Sequence, residues 1–570
     1  MSLFNKFDAM SIDSMTSVAL SRRQFVRRAA ALGLATPAIA GLLAACEDDD
    51  TTDDAAADDT VDVADTDAET DDSVEETDDS DDVADDADEG EAQRGGTLRV
   101  GFSGSADNFD PHHQVQLDSI WINSMMYSRL IRIDNEMELQ PDVAHEWEVS
   151  DDGMEWTFHL RDDVVFHNGR ECTAEDWVYS INRLKDPDDV TPFVQDIDMI
   201  EEPEAVSDTE LVIHLNSVYA DLPILTGMYW FRVIPEEDVD SLNTDPVGTG
   251  PYQLQSHSPD ERTVLVRFED YYNSEEEGFL EEIHYIKIEE ETSRLTGLTG
   301  DTIDFVNEIS PASLPMVQDV PNMVIEEIVT GSYQPLVMDV TEEPFDDLSV
   351  RQALKLVLDR TEYLQAALQG VGTEGNDQPI PPVDPMYADI PIPEQDFDRA
   401  RELLAEAGYE DDLEIELHYT SGRVGLQESA LTFQQMAEGA GVTVELVNHP
   451  NDSYWSDIWL NRPFYLSNWT PRPMADQAFS VVYLTGAPWN ETNWSNEEFD
   501  DIIREARSVI DEDERAELYA RAQEIVAEEG GSIIPYFMSV TGGWNDHVHG
   551  YTMHPLRWVE FHRVWVDNGA

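Results

Sequence analysis

The chain has 570 residues, more than one compact domain usually holds, so it divides into roughly two to four domains or lobes. It carries 122 Asp and Glu against 32 Lys and Arg, a formal charge of -90 with only four lysines, which excludes a general nucleic-acid binder, whose phosphate contacts need a basic face. A hydrophobic content of 41%, with 13 Trp, 19 Tyr and 20 Phe, supplies a large core and excludes a wholly disordered acidic chain.

Acidity with almost no lysine continues through the body of the chain. This is the pattern of a protein working in multimolar salt, where the Debye length is about 3 Å or less and self-repulsion is screened. The source is read as an extreme halophile, a haloarchaeon.

Ser21, Arg22, Arg23, Gln24, Phe25 and Val26 form a twin-arginine pattern, and an apolar run of 17 residues follows from Ala29 to Ala45. The pattern resembles a twin-arginine export signal. Gly33, Pro37 and Gly41 make the run a poor permanent membrane span. Its end, Leu43, Ala44, Ala45 and Cys46, resembles a lipobox, which makes Cys46 the lipidated mature N-terminus. Residues 1–46 are therefore read as a twin-arginine lipoprotein signal. The only other cysteine is Cys172, so the mature chain has no internal disulfide. Residues 47–93 hold 25 acidic residues in 47 and neither a basic nor an aromatic one. That composition predicts a disordered, extended spacer. From Arg94 on there remain 27 basic and 95 acidic residues, a net charge of -68.

The body opens with a strand over 97–102. Alternating runs at 146–149 and 155–160 flank Asp151, Asp152 and Gly153, a hairpin. Thr173 and Asp176 form a capping box for a helix whose apolar residues Trp177, Ile181 and Leu184 share a face. Ser349 and Gln352 cap a further helix that ends near Gly370. The pattern then alternates: helix 398–407 stopped by Gly408, strand 413–419, helix 426–438, strand 442–447. Helices between strands imply crossover units and a parallel sheet. Helices at 497–510 and 513–528 precede a last strand at 532–537.

Catalytic motifs fail their spacing tests. Gly101 to Ser105 follow a strand as a nucleophile elbow does, but Ser105 stands where the pattern needs glycine. His145 and Glu146 open like a zinc-protease helix, yet the second histidine falls at Val149. There is no phosphate loop. His112, His113, His547, His549 and His554 lack flanking ligands at metal-site spacing, so no metal or cofactor is assigned.

The stretch from Leu139 to Asp176, including Pro141, Asp142, Trp147, Gly153, Trp156, Phe166, His167, Asn168 and Gly169, resembles the signature region of the family 5 extracellular solute-binding proteins. These are the dipeptide, oligopeptide and nickel binders of ATP-driven (ABC) importers. Pro246 to Tyr252 resemble the family's glycine-rich turn, and Pro344 to Asp347 with Arg351, Leu354 and Arg360 its second-lobe helix; Ala400 to Gly408 and Asn493 to Asp500 continue the match. The resemblance implies an α/β, two-lobed periplasmic-binding-protein-like fold (type II, cluster C) with an extra domain inserted in the first lobe. The expected division is 94–345 for the first lobe with its insertion, 346–529 for the second, and 530–570 for a return to the first. It further implies a binding protein, not an enzyme, that works as a monomer; with the signal and lipobox, the expected location is the extracellular face of the cytoplasmic membrane, anchored through Cys46. Its expected partners are a peptide or related small organic solute and the permease subunits of an ABC transporter; the alternatives are a receptor of the same fold for a non-peptide carboxylated solute or metal complex, or an exported hydrolase.

In peptide-binding relatives a carboxylate soon after a second-lobe tryptophan takes the peptide's amino terminus. Here the comparable stretch reads Asn468, Trp469, Thr470, Pro471, Arg472, Pro473, Met474, Ala475, Asp476, with an arginine at the place of the acid. Arg472 can fork onto a ligand carboxylate, and Asp476 can take an amine if the loop shifts. Trp469 and Trp489 are the expected aromatic platforms, and Asn468 completes the candidate ligand set. Asn451, Asn468, Asn490 and Asn493 each begin an Asn-x-Ser/Thr pattern.

Overall fold

The computed structural model describes residues 92–567, apart from 187, 188, 190, 192, 194–196, 411 and 412. The signal, Cys46 and all but the last two residues of the spacer lie outside the described residues.

The opening strand Thr97–Phe102 buries Leu98, Val100 and Phe102. It lies at the centre of an eight-stranded sheet, parallel to Glu282–Lys287 on one side and Phe305–Val306 on the other. Tyr536–Asn545, near the end of the chain, inserts antiparallel between Phe305–Val306 and Met323–Tyr333. The first lobe is thus closed by both ends of the body. Between its first strand and Tyr252–Ser258 stands an inserted four-stranded antiparallel sheet containing the predicted hairpin, Ala144–Val149 with Glu155–Leu160. Gly153 takes a φ of 70° in the turn, a conformation glycine adopts without cost. The helix Ala174–Leu184 starts at the Thr173/Asp176 capping box and drives Trp177 and Ile181 into a separate core with Phe158 and Ile213.

The second lobe is a five-stranded sheet in the order Val442–His449, Leu413–Thr420, Phe464–Leu466, Leu336–Met338, Ser532–Ile533. Leu413–Thr420 and Val442–His449 are parallel and joined through the helix Leu426–Glu438, as the alternating pattern predicts. Gly408, with φ 93°, follows the helix Phe397–Glu406.

The chain passes between the sheets at Gln334–Pro335 and at Ile534–Pro535. The first passage precedes the expected lobe boundary at 345, because Leu336–Met338 already pairs with the second-lobe strands. Two other expectations change. The run 532–537 is two strands in two different sheets, since Pro535 has no N–H to continue a ladder. The helix expected from Ser349 to Gly370 is also two, Leu348–Lys355 and Arg360–Leu368, capped by Asp347 and Asp359, whose carboxylates accept from Ser349 N and Glu362 N.

Candidate functional site

Strand direction determines which edges of the two sheets face each other. Tyr536 enters the first lobe directly from the second, and Phe305–Val306 runs antiparallel to the strand it begins. The carboxyl ends of the parallel strands Thr97–Phe102, Glu282–Lys287 and Phe305–Val306 therefore point toward the second lobe. Leu336–Met338 leaves the first passage and runs antiparallel to Phe464–Leu466, so the carboxyl ends of Phe464–Leu466, Leu413–Thr420 and Val442–His449 point back. The crevice outside the carboxyl ends of such strands is the ligand position of open α/β sheets.

Four of the five ligand residues expected from sequence lie around the segment that leaves Phe464–Leu466. Trp469 bridges to the first crossing strand: its N–H donates to Tyr333 O at 2.9 Å and its carbonyl accepts from Tyr333 N at 3.1 Å. Pro471 packs on the same strand, where a Cβ on Gly331 would come within 3.3 Å of it. The Arg472 guanidinium lies 5.3 Å from the centre of the Trp469 ring, and its Nη1 donates to Thr470 Oγ1 at 3.0 Å. Trp489, half-buried, meets Trp469 with ring centres 5.9 Å apart. Asn468 faces the hinge: its Oδ1 accepts from Gln334 Nε2 at 3.2 Å, and Gln334 Oε1 accepts from Tyr536 OH at 2.7 Å. Both passages are tied together at this point.

Asp476 lies elsewhere. It is only 4% exposed, in the first turn of the helix Ala475–Val482, and pairs with Arg507 at 2.9 and 3.0 Å. Burial raises its pKa, opposed by Arg507. Met474, just before it, is buried in the core of the inserted subdomain, beside Tyr219.

Sequence reading missed two residues, Gln334 and Glu491. Glu491 is buried beneath the wall, and its carboxylate accepts from Trp469 Nε1 at 2.9 Å, from Trp459 Nε1 and from Ser467 Oγ. Burial pushes its pKa up to about 6, against the pull of these three neutral donors. No short-range pattern marks it, because its partners lie 22, 32 and 24 residues away in sequence.

The facing edge of the first lobe carries the acids Asp118 and Glu308 beside the arginines Arg294 and Arg557. A Cβ on Gly104, just after the first strand, would meet Asp118 Oδ2 at 2.3 Å, so the loop and that carboxylate lie in close contact. Burial pushes Asp118 up to about 6. Glu308, beyond Phe305–Val306, is held by Arg557. The histidines considered for a metal have separate partners: His112 meets Arg232 O, His113 meets Asp110, His547 meets Asp304, His549 stacks on Trp565 and His554 meets Ile133 O. Among the described residues no group of three or more His, Cys, Asp or Glu is arranged to hold a metal ion, and no helix is long and apolar enough to cross a membrane.

Two sheets joined by two passages, with their carboxyl edges opposed, form a two-lobed α/β fold, in which Trp469 is 6% exposed and belongs to a buried core cluster with Trp489 packed against it. The chain belongs to the bacterial extracellular solute-binding proteins of family 5: residues 138–491 match the family model described as "Bacterial extracellular solute-binding proteins, family 5 Middle". It is 26% identical over 482 residues to heme-binding protein A of Haemophilus influenzae, covering 78% of this chain and 87% of that protein. It is 25% identical over 514 residues to the dipeptide-binding protein of Escherichia coli, covering 83% and 95%. Among solved structures it is similar to HbpA2 from Haemophilus parasuis, with a TM-score of 0.76 and 22% identity, covering 83% of this chain and all of the other. Family members are transport binding proteins, not enzymes.

Proposed function

We propose that this protein is the receptor subunit of an ABC importer in an extreme halophile, capturing a peptide or related small organic solute between its lobes and passing it to a permease. The observation that carries this reading is the second-lobe wall, in which Trp469, bonded to the crossing strand, carries Arg472 over its face. A ligand touching both lobes draws them together, and the permease reads the closed form. In this reading Trp469 and Trp489 are the platforms, Arg472 meets an anionic group of the solute, Asn468 holds the hinge glutamine, and Asp476 fixes Arg507. Export by the twin-arginine route and lipidation at Cys46 put the acidic spacer between membrane and body. Relatives named for dipeptides support a peptide cargo. The arginine at the place of the expected acid favours a second reading, a carboxylated solute other than an ordinary peptide.

Thermal unfolding in multimolar salt tests this, with di- to pentapeptides, amino-acid conjugates, sugars and nickel salts as separate panels. A ligand at a hundred times its Kd stabilises by about 2.7 kcal/mol. Trp469→Ala and Arg472→Ala should each weaken the response by about 2 kcal/mol without unfolding the protein. A response to carboxylated solutes alone, lost in Arg472→Ala, selects the second reading. Silence in every panel sinks both.

A further inference from the structure

The second-lobe wall is built on a carboxylate that never reaches the cleft. Glu491 is 3% exposed and collects three donors from two segments: the indole N–H of Trp469 and the hydroxyl of Ser467 from one, and the indole N–H of Trp459 from the other. Ser467 is the last residue before the segment that carries Asn468 to Arg472. Trp489 sits between the two tryptophans, with ring centres 6.5 Å from Trp459 and 5.9 Å from Trp469. One buried group therefore sets the plane of the ring under Arg472 and anchors the strand end from which Arg472 projects.

We infer that Glu491 is the positioning residue of the solute wall, and that its charge, lying at the indole N–H edge of Trp469 while Arg472 lies over the face of that ring, makes capture of an anionic solute proton-linked. This rests on the reading of the cleft as a solute site. Three oriented donors satisfy an ionised carboxylate better than a protonated one, which accepts less and must donate once itself. Above its pKa, Glu491 places a negative charge behind the wall and offsets part of Arg472's field. When it takes a proton, that like charge is gone, and an anionic solute binds more tightly. By linkage the solute in turn draws a proton onto Glu491. A neutral solute gains nothing from the same proton.

Beyond Tyr454 lies the pair His418 and His449, which burial holds below the usual histidine range; the tyrosines that face Glu491 do not titrate near neutrality. Tyr333 of the first crossing strand, Tyr454, Tyr465 and Tyr483 all have pKa values raised by burial and remain protonated. Arg472 stays charged over the face of the ring. Asp339, the remaining acid on an adjoining element, is half-buried and bonded to Thr341 and Asn493.

The test uses the ligand-free protein with 15N-labelled tryptophan, the Trp459 and Trp469 indole resonances being assigned by Trp→Phe substitution. Both should move together with a midpoint near pH 6, the value burial gives Glu491. In Glu491→Gln, which keeps the shape and most of the bonds, they should stand still. In Glu491→Ala, solvent exchange of both indole protons should accelerate by at least about tenfold, with exchange in Glu491→Gln close to wild type. Indoles that do not titrate, or that still titrate in Glu491→Gln, overturn the inference, as does unchanged exchange in Glu491→Ala. With solute, N-acetyl-dialanine should bind more tightly as the pH falls from 7.5 to 5.5 in wild type but not in Glu491→Gln, by about threefold. Titrating indoles with no solute response in any panel overturn the solute reading and leave the wall assignment standing.

Discussion

At the scale of the residue, the family resemblance singled out the segment proposed as the binding wall, but not the contacts its side chains make. Trp469 and Arg472 were legible because they sit in a stretch with a family counterpart, and the substitution of arginine for the acid stands in plain view in the sequence. Asp476 was expected as the replacement acid because it is the next carboxylate along the chain. The helix that starts at Ala475 turns it inward, onto Arg507, a residue 31 positions later that no local pattern connects with it. Glu491 was invisible for the same reason: inside the triplet Asn490, Glu491, Thr492 it reads as a surface glutamate. The Asp476 assignment has a direct consequence. Asp476→Ala should lower stability by about 2 kcal/mol, less than a fully buried pair costs because about a third of the Arg507 side chain faces solvent. Its solute response, read from the same melting curves against the most stabilising solute, should match wild type. A lost response with unchanged stability would put Asp476 back in the cleft.

Among the elements, most helices and strands inside each lobe followed their periodicity; the misreadings were the helix that breaks between Lys355 and Arg360 and the run through the second passage. Ile534 leaves the ladder of Ser532–Ile533 and precedes a proline, so its backbone groups need other partners. Asp377 Oδ1 accepts from its N–H at 2.9 Å and Arg360 Nη1 donates to its carbonyl at 2.8 Å. Arg360 and Asp377 pair with each other at 2.7 Å, with both side chains essentially inaccessible to solvent. The passage thus exists because a buried ion pair, one member at the start of the helix Arg360–Leu368, takes over two backbone bonds. Sequence could supply Arg360 as a family match but not this role, since its partners come from 15 to 174 residues away. Arg360→Met should destabilise the protein by about 3–5 kcal/mol, because it strands a buried carboxylate. Denaturant unfolding measures this, and a loss under 1 kcal/mol would mean that Asp377 finds another partner.

For the whole molecule, composition announced an acidic body of net charge -68, and its stability depends on which carboxylates are buried and how. Burial raises Asp118, Asp221 and Glu491 to about 6 and Asp384 to about 7. Their contributions are fully present below the ordinary carboxylate pKa and are lost as pH rises through 6 to 7. Burial also lowers His112, His167, His554 and His562 to about 4. The unfolded chain protonates these histidines near 6.5, so each loses stability as pH falls from there toward 4. Between about pH 4.5 and 6 these four native carboxyls and four unfolded imidazoles take up protons with opposed slopes that nearly cancel; Asp476 and Glu326, also raised by burial, add to the first set, and His257, His418 and His449, also lowered by burial, to the second. Below that range nothing compensates. Against the cost of burial, Arg132 holds Glu277 and Arg129 holds Glu560 at about 2, so both pairs give up stability as pH drops from 4.5 toward 2. Denaturant midpoints measured at fixed multimolar salt should therefore be nearly level from pH 5 to 6.5 and fall steeply below pH 4. In His554→Gln the acid side of the plateau should tilt, stability rising as pH falls from 6.5 to 5, because one imidazole no longer offsets the carboxyls. A wild-type profile that already slopes in that window would mean that the buried histidines are charged in the native state.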